Sequence, residues 1–438
     1  MKSNGILPVN QLFGYSQAEY RRFRRYAWRY LVSFSLLYCT LYCSRLSLAN
    51  TSAALMQNLG FTKADIGILT GTLFWTYGIG QLINGRISDV TSPGKLIVLS
   101  AVLSVLCNII ITSQSTLLPM AAIWGLNGLA QSMAWAPGIA VITRWWPGSM
   151  RGFATGFALA FSGFGQVLAM LSVFYALEKL PRWGWRSAFY VSAAIPMLML
   201  AIYLLFAKTS PEMVGLHEYV EDRKSREREE KVLEENTSRD TMFAFKYILR
   251  NSCFRTWMLI IFLVGLTRHG LSTWVPLYFI DAYGVDITTG LIQSLSLPVG
   301  MGIGTIVVPW LTDKYCPDNR LLAVTLSAFI AVVIVILFVF LNPLVTWQMV
   351  IIQICLFLAG FCIYAISGTS GAYATDVGGR VLPGTATGLL SFSAYMGAAI
   401  QSLVYGFALD KVGWWLIFIS IAFFCALIGV LALINTEE

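Results

Sequence analysis

Of 438 residues, 57% are hydrophobic and only 12% are charged, a balance that excludes a soluble multidomain protein, and runs of about twenty apolar residues recur from end to end. The formal net charge of +8 could suit nucleic acid, but the Lys and Arg residues concentrate in the N-terminal arm, the even-numbered loops and the central loop, which is a topology signal. The chain therefore reads as an all-α polytopic membrane protein of the cell inner (plasma) membrane, with both termini cytoplasmic and no nucleic-acid partner.

Residues 1–26 form a basic, aromatic arm in which Arg21, Arg22, Arg24 and Arg25 would lie at the lipid headgroups, with Tyr26, Trp28 and Tyr30 as interfacial anchors. No cleavable signal is expected. Apolar spans follow at about 28–50, 64–88, 95–113, 118–143, 152–177 and 186–207, giving a first six-helix bundle over 27–207. A mixed-charge cytoplasmic loop over 208–251 has no apolar stripe and reads as a solvated helix or a linker. A second bundle over 252–438 has spans near 253–280, 287–311, 320–342, 346–373, 384–409 and 412–434.

The two halves match in detail. Arg45 corresponds to Arg268, the segment ending at Asp89 to that ending at Asp313, RGFATG at 151–156 to PGTATG at 383–388, and Gly184-Trp185 to Gly413-Trp414. Offsets of about 223 to 232 residues are the mark of parallel six-helix repeats, two pseudo-symmetric bundles facing each other across a central cavity.

The first span ends by carrying Arg45 into the membrane, and Tyr38, Tyr42 and Arg45 are spaced i, i+4, i+7, so one helical face carries two phenols and a guanidinium. Arg268 repeats the feature on the seventh span, where the nearest acidic residue is Asp281. An intramembrane arginine calls for a partner, and guanidinium forks fit phosphate or carboxylate oxygens. Gln131 and Trp135 are i, i+4 partners on the fourth span, as are Tyr77 and Gln81 on the second.

The remaining chemistry is sparse. The eight cysteines lie mostly in apolar helices without zinc-type clustering, so no disulfide, metal or other cofactor is expected. No nucleophile–base constellation occurs in the spans, which argues against an enzyme. The aspartates fall at span ends or in loops, leaving His269 as the one candidate proton relay, weighed equally against a packed neutral ring. Asp89 and Asp313 would cap helices or pair with Arg151 and Arg380 as a gate.

Taken in order, YRRFRRYAWRY, the arginine closing the first span, GFTKADIGILTG leading into YGIGQLINGRISD, AWAPG and RWWPGSMRG, YILRN before RHGLSTWVPLY, and PGTATGLLSFSAYMGA make this chain similar to the major facilitator superfamily. Within it the resemblance is to the organophosphate:phosphate antiporters, whose members carry glycerol phosphate, hexose phosphates and phosphoglycerates. It covers nearly the whole chain. It implies an anion site built on Arg45 and Arg268, with Tyr38, Tyr42, Tyr77, Tyr364, Tyr395 and Trp135 in the cavity. This chain departs from the family pattern at Leu46 and Gln81, where lysines would stand, around Phe161 and Ser162, where a histidine would, and at Thr273, in place of an acid.

The resulting expectation is a monomeric secondary transporter exchanging an organic phosphate for inorganic phosphate by alternating access. Two alternatives stand beside it. One is a sugar-acid carboxylate transporter, since arginine forks accept carboxylates too. The other is a transporter-like sensor of a phosphorylated sugar, with the charged loop docking a signalling partner.

Overall fold

A computed structural model describes residues 15–217, 235, 240–315 and 319–435. Among these the chain is helical throughout, without strands. The helices are α1 (Gln17–Asn50), α2 (Ser52–Leu59), α3 (Lys63–Val90), α4 (Pro93–Ile110), α5 (Leu117–Ser132), α6 (Trp135–Trp145), α7 (Gly148–Lys179), α8 (Arg186–Phe206), α9 (Thr241–Leu249), α10 (Ser252–Tyr283), α11 (Ile287–Gln293), α12 (Ser296–Tyr315), α13 (Arg320–Val339), α14 (Thr346–Gly378), α15 (Pro383–Val412) and α16 (Trp415–Ile434). Most of the mixed-charge run between the bundles lies outside the described residues.

Helix starts follow their local chemistry. Ser16 and Glu19 form a capping box at the start of α1, and Thr62 with Asp65 forms another at α3. Each satisfies donors that the first helical turn leaves orphaned. Gly60, at φ 70°, ends α2 in the left-handed conformation that favours glycine.

Among the described residues eleven helices, counting α1–α2 and α11–α12 as one span each, are long and apolar enough to cross a membrane. The twelfth span is the fourth in the chain. Read from sequence as one stretch over 118–143, it is broken between α5 and α6, pieces of 16 and 11 residues. Pro137 stands in the first turn of α6 and has no N–H to give to the carbonyl of Met133, so one rung of the helical ladder is missing at the break. The eighth span breaks similarly at Ser294, with Pro298 in the first turn of α12.

Twelve spans return the chain to the face where α1 begins, here termed the terminal face; the other is the far face. The packing repeats between halves. First packs on fifth as seventh packs on eleventh, second on fourth as eighth on tenth, and third on sixth as ninth on twelfth. The seams between bundles are second with eleventh and fifth with eighth, so the inferred parallel repeat is the architecture.

Along the second–eleventh seam the backbones nearly touch. A Cβ on Gly85 would stand 2.4 Å from the carbonyl oxygen of Gly384, and one on Gly67, near the far face, 2.6 Å from that of Ser402. Small residues let membrane helices approach this closely.

Candidate functional site

Arg45 lies near the end of α1 and is 2% exposed. Its Nε and Nη2 donate to Gln131 Oε1 at 3.3 and 3.0 Å, Nη1 to the Tyr395 hydroxyl at 3.1 Å, and Nη2 to the Tyr77 hydroxyl at 3.4 Å. The guanidinium carbon lies 4.5 Å from the Tyr42 ring centre, 4.6 Å from Tyr77 and 5.6 Å from Tyr38. All of these contacts are neutral acceptors or π faces. They orient the cation and offset part of its desolvation, but they leave its charge uncompensated.

Arg268 differs. Its guanidinium lies 4.6 Å from the Tyr364 ring, and its Nε is buried without a hydrogen-bond partner. Tyr364 in turn contacts Ser162 Oγ across the bundle boundary. Among the described residues neither arginine has a carboxylate partner. Two buried cations from opposite bundles thus face one region, and a buried unpaired charge costs several kcal/mol unless an anion joins it.

A cavity of about 70 Å³ is lined by Tyr38, Tyr42, Tyr77, Trp135, Arg268 and Tyr395; Arg45 does not line it, standing behind the four tyrosines that it contacts. Its remaining wall runs toward the terminal face along α14 and α15, through Ser367, Ser370, Gly371, Thr387 and Ser391. Thr387 Oγ1 is buried and unpartnered. The volume holds a few waters and is below the roughly 300 Å³ of a drug-sized site.

The other predicted residues stand behind this surface. Gln131 holds Arg45 from the fourth span. Gln81 Nε2 donates to the carbonyl of Ser132 at 3.1 Å, tying the second span to the break in the fourth, and it does not line the cavity. His269 packs its ring 4.5 Å from Phe74 and 5.3 Å from Tyr395, with Nε2 buried and unpartnered, on the far-face side of the pair.

Asp89 bridges the bundles at the terminal face. Its carboxylate accepts from the backbone N–H groups of Gly384 and Thr385, both at 2.8 Å, and from Thr385 Oγ1 at 2.6 Å. Of the two expected arrangements, cap or arginine pair, these contacts form the cap, at the N-terminus of α15. Arg151 Nε donates to the carbonyl of Trp146 at 3.2 Å. Arg380 follows Gly379, which takes φ 57° in the turn between α14 and α15. The Asp313 side chain lies outside the described residues.

Sequence reasoning missed two sets of residues. One is a buried polar network under Arg45. Gln131 Nε2 donates to Ser104 Oγ at 2.6 Å and to the carbonyl of Leu41 at 3.1 Å; Ser104 Oγ donates to Asn127 Oδ1; Asn127 and Asn108 both donate to the carbonyl of Ser44. The i, i+4 pairs Ser104/Asn108 and Asn127/Gln131 were a usable signal. The other is a far-face clasp. Lys63 Nζ lies 3.0 Å from both Asp281 and Asp410, and Trp414 Nε1 donates to Asp281 at 2.7 Å.

Comparison with known proteins agrees with this architecture. The profile of the Major Facilitator Superfamily matches residues 34–400. A probable hexose phosphate transport protein of Chlamydia pneumoniae is 26% identical, over 93% of this chain and 91% of its own. A glycerol-3-phosphate transporter of Bacillus subtilis is also 26% identical, over 82% of this chain and 81% of its own. Among solved structures, a bacterial homolog of the human lysosomal transporter Spinster superposes with a TM-score of 0.67 at 15% identity, covering 94% of this chain and 97% of that one.

Proposed function

The chain belongs to the Major Facilitator Superfamily, and from that premise we propose that it exchanges an organic phosphate for inorganic phosphate by alternating access, with Arg45 and Arg268 binding the anion. The observation that carries the reading is the pair of buried guanidiniums, one from each bundle, with no carboxylate partner among the described residues, and a cavity lined by Arg268 and by tyrosines that contact Arg45. The names of the relatives in Chlamydia pneumoniae and Bacillus subtilis supply the phosphate ester as substrate class.

Two fixed positive charges disfavour the empty occluded state, and an anion entering from either side neutralises them and permits the bundles to rock. Exchange follows from this coupling, because the site crosses only when filled. Tyr38, Tyr42, Tyr77 and Tyr395 supply hydroxyl donors and ring faces around the anion. In this reading the terminal face is cytoplasmic, the membrane is the cell inner membrane and the unit is the monomer.

The test is radiolabelled phosphate exchange in proteoliposomes preloaded with phosphate. Wild type is expected to exchange, and Arg45→Ala and Arg268→Ala to lose at least about 30-fold, the equivalent of the ~2 kcal/mol or more that a desolvated charge contact carries. Wild-type vesicles that move no phosphate under any loading would refute the reading.

A further inference from the structure

Between the first and sixth spans, at the terminal face and on the outer wall of the bundle, lies a groove of about 420 Å³. On the first span it is lined by Arg25, Arg29, Val32 and Leu36, and its other wall is apolar, formed by Ile202 and Phe206 of α8 among others. Trp28 and Ser33 also line it from the first span; Arg25, Arg29, Val32 and Leu36 are spaced i, i+4, i+7 and i+11, so these four form one stripe along the helix. Cations stand at the outer end of that stripe and hydrocarbon continues inward from them.

From these features we propose that the groove binds an anionic phospholipid of the terminal-face leaflet, the phosphodiester between Arg25 and Arg29 and one acyl chain along the apolar floor. Charge complementarity selects this occupant. Both arginines are exposed, and among the described residues neither has an ion-pair partner. Glu19, the acidic residue of the same helix, is committed to the capping box with Ser16. The dimensions agree as well. Leu36 lies about 10 Å along the helix from Arg29, within the ~15 Å hydrocarbon depth of a single leaflet. A soluble phosphate would use only the cationic end and leave Val32, Leu36, Ile202 and Phe206 uncovered. A zwitterionic lipid would set its own ammonium against two guanidiniums.

The groove lies on the helix that carries Arg45, where Tyr30 meets Tyr203 of α8 and donates to the carbonyl of Gly138 in the fourth span. A lipid seated there braces the first span against the sixth at the end nearest the membrane surface. Basic residues at such an interface attract anionic headgroups.

The experiment uses the full chain in phosphatidylcholine nanodiscs containing a trace of photoactivatable phosphatidylglycerol, with crosslinked peptides mapped by mass spectrometry. Label is expected on the peptides containing residues 25–36 and 199–206, competed by unlabelled phosphatidylglycerol and not by extra phosphatidylcholine or soluble glycerol phosphate. Arg25→Gln/Arg29→Gln should reduce that label about tenfold. Lys95→Gln/Lys246→Gln, which removes the same charge from exposed terminal-face positions outside the groove, should leave it unchanged. Thermal unfolding of both variants confirms that each is folded. Equal labelling from photoactivatable phosphatidylcholine would overturn the proposal in favour of ordinary annular lipid. Competition by glycerol phosphate would replace the lipid by a soluble anion, and equal loss in the control variant would reduce the effect to diffuse surface charge.

Discussion

Gln131 Oε1 accepts from two nitrogens of Arg45 at once, at 3.0 and 3.3 Å, while its own Nε2 donates to the Leu41 carbonyl and to Ser104. A neutral amide thus fixes a buried cation without cancelling it, and the charge stays available to a mobile anion. A carboxylate at this position would form a permanent pair, strong in a medium of low dielectric constant.

Gln131→Ala therefore acts on both stability and affinity. It leaves two guanidinium donors of Arg45 unsatisfied, at about 1–3 kcal/mol for the buried groups. The expected result is a lower thermal midpoint in detergent together with a raised KM for phosphate exchange, since the fork is no longer held. A normal KM would show that the tyrosines alone orient Arg45.

Asp89 makes three hydrogen bonds across the bundle boundary to the first turn of α15. Helix caps are worth about 0.5–2 kcal/mol, so Asp89→Ala should shift the equilibrium toward opening at the terminal face by roughly twofold to thirtyfold. The readout is the alkylation rate of a cysteine placed at Ser391, on the cavity wall, with reagent supplied from the terminal face. Faster labelling in the Asp89→Ala background is expected, and an unchanged rate would leave the cap with no part in gating. Asp89→Asn should fall between the two, because an amide oxygen accepts but carries no charge for the helix dipole.

Much of this was legible in the sequence because hydrophobic runs and matched offsets survive without any knowledge of packing. Arg45 and Arg268 announced themselves as charges in hydrocarbon, and Tyr38 and Tyr42 lay on the arginine's face by helical spacing alone. The break in the fourth span was harder to see: Pro137 signals it, but membrane helices often accommodate proline without breaking. Which polar side chains turn toward the cavity was not readable. Gln81 and Gln131 both stand four residues from an aromatic cavity residue, yet one grips the Ser132 carbonyl and the other Arg45, a difference set by how the second and fourth spans pack. The Lys63 clasp joins residues about 130 and 220 positions apart at least, and span-end charges carry no signal of partnership at such separations.

That clasp links the two bundles at the far face. Lys63 is largely buried, its side chain 13% exposed, while Asp281 and Asp410 are 34% and 58% exposed. Solvent screening keeps each pair to about 0.2–1 kcal/mol. Lys63→Met should therefore speed alkylation from the far face only severalfold, and raising the ionic strength toward 1 M should bring wild type close to the mutant, as the Debye length falls to about 3 Å. Salt-independent wild-type labelling would mean that apolar packing, rather than the ion pairs, holds this face shut.

Gly163 and Gly302 meet where the fifth span crosses the eighth, with no room for a side chain. A Cβ on Gly163 would lie 2.4 Å from both the Cα and the amide nitrogen of Gly302, atoms that can move only if the helices part. Each bundle keeps its own core under this substitution, so Gly163→Ala should fold, with a modestly lower thermal midpoint. Overpacking of this kind typically costs 1–3 kcal/mol, here borne by the seam between bundles, so the population in which the bundles are in contact at this crossing should fall about fivefold or more. Under the proposed alternating access that contact would form and dissolve in every cycle. The expected outcome is reduced kcat with little change in phosphate KM, because the cost falls on the conformational step and not on the arginines. Wild-type kcat in Gly163→Ala would show that the fifth and eighth spans do not reapproach at this crossing during turnover.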